Sequence, residues 1–281
     1  MNQTQIIFMS LTLSSAVKLN NGVNMPVVGL GVYGITPGKQ TEKAVLDALG
    51  FGYRLIDTAA LYENEESVGK AIKESKLKRE EIFVTTKLWN WDQAFAQKAF
   101  GESKKKLGLD YIDLYLIHYP VTKTRVDAWK VMEKIYEKGQ CKAIGVSNFM
   151  VNHLEDLLSK TSIVPTVNQI EFSPFLYRKE LLEYCRKKKI QVEAYSPLTR
   201  SVKLNHEVIV EIAQKYSKST AQIMLRWAIQ HDVIPIPKSV HAKRIKENSK
   251  VFDFEIKKED MKALDGLNED FKVAWDPEGT P

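Results

Sequence analysis

From about residue 27 onward the chain alternates two hydrophobic rhythms. Short β-rich runs occur at Val27–Val32, Tyr53–Asp57, Ile82–Leu88, Ile112–His118, Cys141–Asn148, Thr166–Phe172, Gln191–Ser196 and Val233–Ser239. Apolar runs of this length, bounded by turn residues, read as strands buried on both faces. Between them apolar residues fall at helical spacing: Val68, Ala71 and Ile72 within 66–72, and Trp129, Met132, Ile135 and Tyr136 within 128–136. The stretch 205–231 reads as two helices broken near Ser217-Lys218-Ser219. Ahead of the repeat, Ala16–Leu19 and Val23–Met25 flank Asn21-Gly22, a dipeptide suited to the positive φ of a type I′ turn, which predicts a hairpin.

Eight strands alternating with helices, undivided by a linker, predict one βα-repeat domain over 16–281. Eight units suit a closed (β/α)8 TIM barrel, typically about 250 residues, here with an N-terminal β-hairpin and extra helices. A doubly wound open sheet is the alternative. The strand ends favour the barrel. They carry Asp57, Lys87, His118, Ser147-Asn148, Asn168, Gln169 and Glu171, Tyr195-Ser196, and Lys238-Ser239. Barrel closure brings such ends onto one face, where barrel enzymes place their chemistry. An open sheet gives them no common destination.

Composition narrows the class without naming a function. Of 281 residues, 44% are hydrophobic and 27% charged, which excludes a disordered chain or a disulfide-stapled miniprotein. No apolar run nears the roughly 18 residues of a membrane span. The net charge of +6 is mild, and the basic runs Lys104–Lys106 and Arg186–Lys189 sit near helix ends with no nucleic-acid motif beside them. Two distant cysteines, Cys141 and Cys185, lie outside any CxxC and point to free thiols in a reducing, cytoplasmic setting. Residues 1–15 read as a flexible extension. No exposed apolar stripe calls for a partner, so a monomer is expected.

Gly29-Leu30-Gly31-Val32-Tyr33-Gly34 imitates a dinucleotide-binding fingerprint, with Asp57 downstream as its acidic residue. That fingerprint needs a helix opening on the glycines, and Pro37-Gly38 intervenes before helical spacing begins near Thr41. Close backbone approach at a strand end explains these glycines better. Asp57, Lys87 and His118 close consecutive strands, with Tyr62 five residues after Asp57. A buried lysine needs a carboxylate partner. A lysine beside a tyrosine favours the phenolate, lowering a pKa normally near 10 and making the phenol a usable acid.

These residues carry a resemblance. Gly52-Tyr53-Arg54-Leu55-Ile56-Asp57-Thr58-Ala59 with Tyr62, Glu65 and Gly69, then Lys142–Phe149, then Ile236-Pro237-Lys238-Ser239 with Arg244, Glu247 and Asn248, resemble in order the three signatures of the aldo-keto reductase family. The likeness runs from about Ala16 to Asn268. It implies a catalytic tetrad: Tyr62 as the acid, Lys87 held by Asp57 and lowering the Tyr62 pKa, and His118 orienting the carbonyl. It implies NADPH as cofactor and no metal. Ser147, Asn148 and Gln169 would bond the carboxamide, Tyr195 would stack on the ring, and Ser196 and Leu198 would lie at the pyrophosphate. Lys238, Ser239 and Arg244 would hold the 2′-phosphate and Asn248 the adenine. Tyr33, Trp89 and Tyr119 would line the pocket for a small carbonyl substrate. Tyr33 and Tyr119 stand where the family often has tryptophan, and Ser173 where a histidine is common. The short connection Val121–Asp127 and short tail after Asn268 imply an open pocket and broad specificity. The family also holds non-catalytic channel subunits and lens crystallins, against which an intact tetrad argues.

Overall fold

The expected hairpin forms: β1 (Ala16–Lys18) and β2 (Asn24–Pro26) pair antiparallel in the computed structural model, which describes residues 11–281. Its turn differs from the type I′ expectation. The positive φ falls on Gly22 (90°) and not on Asn21, and Leu19 N–H bonds the Val23 carbonyl at 2.8 Å around a three-residue loop. The Asn21 side chain explains the choice, since its Oδ1 accepts from Val23 N–H at 3.2 Å within the loop. Asn20 and Asn21 also donate to the Pro165 and Lys142 carbonyls, each at 3.0 Å. The hairpin therefore plugs the end of the barrel where the strands begin. Of the expected extension, residues 1–10 lie outside the described residues. Residues 11–15 dock: Leu13 packs on the core, and Val27 N–H bonds the Ser15 carbonyl at 3.1 Å.

Eight parallel strands follow: β3 (Leu30–Gly31), β4 (Leu55–Asp57), β5 (Phe83–Leu88), β6 (Ile112–Ile117), β7 (Cys141–Ser147), β8 (Val167–Glu171), β9 (Gln191–Tyr195) and β10 (Ile234–Pro235). They are hydrogen-bonded in sequence order. Gly29 N–H to the Pro235 carbonyl (3.1 Å) and Gly31 N–H to the Pro237 carbonyl (3.3 Å) join the last strand to the first and close the ring. A Cβ on Gly31 would lie 2.8 Å from the Ile236 carbonyl oxygen, and one on Gly29 would lie 2.5 Å from Leu55. The glycine pattern is thus the barrel seam and not a dinucleotide loop, which also removes the open-sheet alternative. The seam strands are shorter than predicted because Pro235 and Pro237 have no N–H to donate.

The helices α1 (Lys39–Gly50), α2 (Glu65–Glu74), α3 (Ala96–Leu107), α4 (Arg125–Glu137), α5 (Val151–Lys160) and α6 (Lys179–Lys187) each follow a strand. The stretch 205–231 splits as expected into α7 (Glu207–Tyr216) and α8 (Thr220–Gln230), separated by Ser217 in a left-handed conformation. Then α9 (Ala242–Asn248) follows β10, and α10 (Lys258–Asp265) packs against α7. Among the described residues no helix is long and apolar enough to cross a membrane. Both cysteines are buried and free, and burial pushes each thiol up to about 12.

Strand alternation assigns side chains to the two faces of the wall. Leu55, Phe83, Leu114, Leu116, Ala143, Val167, Ile234 and Ile236 form an interior cluster capped by Leu19 and Met25 of the hairpin. Asp57 is two residues beyond Leu55, Lys87 four beyond Phe83, Gln169 two beyond Val167, and each shares that inward parity. The barrel is filled with hydrocarbon at its base and polar groups at its C-terminal mouth.

Candidate active site

Tyr62 reaches the barrel mouth on a tight turn, Ala60–Tyr62, that follows β4. Asn64, fully buried, pins this turn. Its Oδ1 accepts from Thr58 Oγ1 at 2.7 Å, and its Nδ2 donates to the Val32 and Ile35 carbonyls at 3.0 and 3.3 Å. Lys87 is 0% exposed at the end of β5 and donates to both Asp57 oxygens (2.7 and 2.8 Å), to the Thr58 carbonyl (2.9 Å) and to the Tyr62 hydroxyl (3.3 Å). His118, at the end of β6, sets its ring edge-on to Tyr62 with centroids 5.7 Å apart. Asp57, Tyr62 and His118 line one cavity of ≈ 830 Å³, while Lys87 lies behind them.

Burial pushes the Asp57 carboxyl up, opposed by Lys87 and by the Gln169 amide. Burial, and then the Lys87 charge, hold His118 well below its ordinary value, so it is a neutral imidazole. Its Nδ1 has no hydrogen-bond partner among the described residues. Tyr62 departs from the sequence expectation. Its phenol lies well above its ordinary value, first through burial and then through the charges of Asp57, Tyr33 and Glu193. The Lys87 ammonium, committed to Asp57 and Thr58, meets the phenol only at its longest contact. Tyr62 therefore keeps its proton at neutral pH.

The other predicted residues mostly share this cavity. Ser147, Asn148, Gln169, Tyr195, Ser196, Leu198, Lys238, Ser239, Arg244, Asn248 and Tyr33 all line it. Ser147 Oγ donates to the backbone carbonyl of Gln169 (2.9 Å), Asn148 Nδ2 to the backbone carbonyl of His118 (2.9 Å), and Tyr195 OH to Asn148 Oδ1 (2.7 Å); the side-chain carbonyl of Gln169 takes part in none of these. Both amide hydrogens of Gln169 are engaged, by Asp57 Oδ2 (2.7 Å) and Glu193 Oε2 (2.6 Å), which leaves its carbonyl as the group offered to the cavity. After β9 the backbone runs through left-handed conformations at Ser196, Thr199, Arg200 and Ser201, strain of the kind that gathers at ligand sites. At the far end Lys238 and Arg244 are exposed, and neither has an ion pair among the described residues. Ser239 is buried beside them and accepts from His241 N–H at 3.1 Å.

Trp89 and Tyr119 flank the same mouth, with the Trp89 ring 5.3 Å from that of His118. They line a smaller recess with Asn90, Trp275 and Asp276, and Trp275 belongs to both walls. The tail narrows the open pocket that the sequence predicts. Glu171 accepts from Val273 and Ala274 N–H (2.7 and 3.1 Å), Tyr119 OH donates to the Asp276 carbonyl (3.2 Å), and Arg125 and His153 bind the carbonyls of Pro281 and Thr280. These anchors fold the short tail across the mouth. They set the Trp275 ring 5.6 Å from Trp89, 6.3 Å from Tyr119 and 6.4 Å from His118. Sequence reasoning missed Trp275 and Glu193. Glu193 was detectable, as the inward-parity carboxylate on a strand whose neighbours Val192 and Ala194 are apolar. Trp275 had no such periodicity to mark it.

A tyrosine hydroxyl bonded to a buried lysine, itself gripped by an aspartate at a barrel mouth, is the arrangement that matters for identity. The chain belongs to the aldo/keto reductase family. Its profile matches residues 27–269. The reductase is 50% identical over 272 residues to a glyoxal reductase of Bacillus subtilis (strain 168), covering 96% of this chain and 99% of that protein. Its fold superposes with a TM-score of 0.91 on MGS-M4, an aldo-keto reductase from a Medee basin deep-sea metagenome library, at 46% identity and covering 95% of this chain and 100% of that one. A Bombyx mori aldo-keto reductase solved in complex with NADP gives a TM-score of 0.89 at 37% identity, covering 94% and 96%. The protein is an oxidoreductase of carbonyl groups.

Proposed function

We propose that the protein is an NADPH-dependent reductase of aldehydes and some ketones, small 1,2-dicarbonyls among them, acting as a cytoplasmic monomer with Tyr62 as general acid. The observation that carries this reading is the Asp57–Lys87–Tyr62 chain of contacts at the floor of a cavity that continues to two exposed cations, Lys238 and Arg244, unpaired among the described residues. The residues fit the cofactor at both ends. The Gln169 carbonyl suits a carboxamide N–H₂, and Lys238, Ser239 and Arg244 together suit a phosphate dianion. When bound, the reduced nicotinamide supplies the hydride.

Tyr62 gives its proton to the carbonyl oxygen as negative charge develops there, and Lys87 faces the phenolate oxygen that remains. Both act on charge that appears in the transition state, so they accelerate the chemistry instead of tightening substrate binding. Neutral His118 is a hydrogen-bond donor to the same carbonyl and does not compete as an acid. The relative named for glyoxal supports the dicarbonyl substrates. The test follows NADPH absorbance with glyoxal, methylglyoxal and an aromatic aldehyde. Steady turnover of at least one is expected, and no turnover of any would overturn the reading.

A further inference from the structure

Glu193 is a buried ionisable group beside the site that the proposed chemistry leaves unused. It is 0% exposed, on β9, in register with Gln169 of β8 on one side and Ile234 of β10 on the other. Its Oε2 accepts from Gln169 Nε2 at 2.6 Å, and its Oε1 has no partner among the described residues. Gln169 Nε2 gives its other hydrogen to Asp57 Oδ2 at 2.7 Å. The two carboxyl groups thus grip one planar amide from opposite sides. Rotating that amide by half a turn would set its carbonyl oxygen against both carboxyl oxygens.

We propose that Glu193 is a positioning residue for carbonyl reduction: with Asp57 it fixes the Gln169 amide so that the carbonyl faces the cavity, and it does so as a neutral carboxyl. This rests on the reading of the site given above. Charge counting supports the neutral state. Lys87 balances Asp57, so an ionised Glu193 would leave one net negative charge in a sealed interior with a bare oxygen. The groups facing Glu193 are Asp57, Lys87, Gln169 and Tyr62, with His118 and Tyr195 further round the mouth, while β10 presents Ile234 and Ile236. Burial, and then the Asp57 charge, push its carboxyl up to about 8. Above that pH its charge adds to the groups that disfavour a Tyr62 phenolate, and proton delivery from Tyr62 becomes harder.

The sign for stability follows from the same shift. A carboxyl raised in the fold from its ordinary value near 4.3 contributes its full stability below that value and loses it as pH rises through about 8.

The test compares wild type, Glu193→Gln and Glu193→Leu. NADPH binding is read by cofactor fluorescence, kcat is read with glyoxal from pH 6 to 9.5, and thermal unfolding is followed from pH 5 to 9. Glu193→Leu frees the Gln169 amide and is expected to weaken NADPH binding about tenfold, while Glu193→Gln, which keeps an acceptor, recovers most of that loss. Wild-type kcat is expected to fall around pH 8, and Glu193→Gln to lack that fall. The melting temperature of wild type is expected to drop relative to Glu193→Gln as pH rises. Unchanged NADPH binding in a folded Glu193→Leu, or the same alkaline fall in Glu193→Gln, overturns the proposal. If Glu193→Leu does not fold, the pH arms of Glu193→Gln decide. A wild type that reduces no carbonyl overturns the reductase reading instead, and the relative melting temperatures then judge Glu193 alone.

Discussion

The two ends of the main cavity are built on opposite principles. At the inner end Asp57, Lys87, Gln169 and Glu193 are all buried and bonded to one another, so each side chain is held by at least one fixed partner. At the outer end Lys238 and Arg244 stand exposed and unpaired among the described residues. Water solvates these cations at no structural cost, and in the proposed reading a phosphate group would give them a partner. The inner groups have no such reserve. They are aligned before any ligand arrives, at the expense of desolvated charges that only their mutual contacts offset. The difference predicts where each kind of substitution acts: inner changes should alter rate and stability, with Glu193 also affecting cofactor affinity through Gln169, and outer ones should alter affinity alone.

The largest effect expected is at Tyr62. Tyr62→Phe removes the proton and leaves the ring, and kcat for aldehydes should fall by roughly 10²–10⁴-fold, the range of general acid catalysis. NADPH affinity by fluorescence titration should hardly move, because the cations at the outer end are untouched. Near-normal turnover would place the acid elsewhere. Lys87→Met comes next and tests whether the inner end is a stability element as well. It strips Asp57 of its charge partner in a fully buried site, for which about 3–5 kcal/mol of lost stability in urea unfolding is expected together with lost rate.

Arg244→Ala probes the other side of the comparison. A charge-assisted hydrogen bond contributes about 1.5–3 kcal/mol, and because Arg244 is exposed the low end applies, about a tenfold loss in NADPH affinity. NADH affinity and unfolding should stay as they are, and salt should narrow the wild-type preference for NADPH. Equal weakening of both nucleotides would mean that Arg244 does not read the 2′-phosphate. The smallest effect concerns Trp275, half exposed and set in tilted and edge-on contact with Trp89, Tyr119 and His118. Trp275→Ala should raise KM for an aromatic aldehyde about two- to tenfold and leave glyoxal nearly unchanged, since only the larger substrate uses the ring. A uniform change across substrate sizes would assign Trp275 to holding the tail instead.

The repeat of buried strand and amphipathic helix was legible because hydrophobic periodicity is local: Val68, Ala71 and Ile72, or the break at Ser217, need no distant partner to be read. The polar strand ends were legible for the same reason, and with them came Asp57, Tyr62, Lys87 and His118. What tertiary structure decided depends on groups far apart in sequence. Closure of the ring rests on Gly29 and Gly31 meeting Pro235 and Pro237, about 200 residues away in sequence, which turned a dinucleotide-like string into a seam. The raised phenol of Tyr62 follows first from its burial and then from the Asp57 charge beside it, which only the assembled neighbours set. The narrowed mouth follows from Glu171 capturing the backbone at Val273 and Ala274, a contact that places an otherwise unmarked Trp275 beside His118. Sequence determines which side chains are available and which face of an element they occupy. Burial, charge pairing and enclosure are properties of neighbours brought together by folding, and they set what those side chains do.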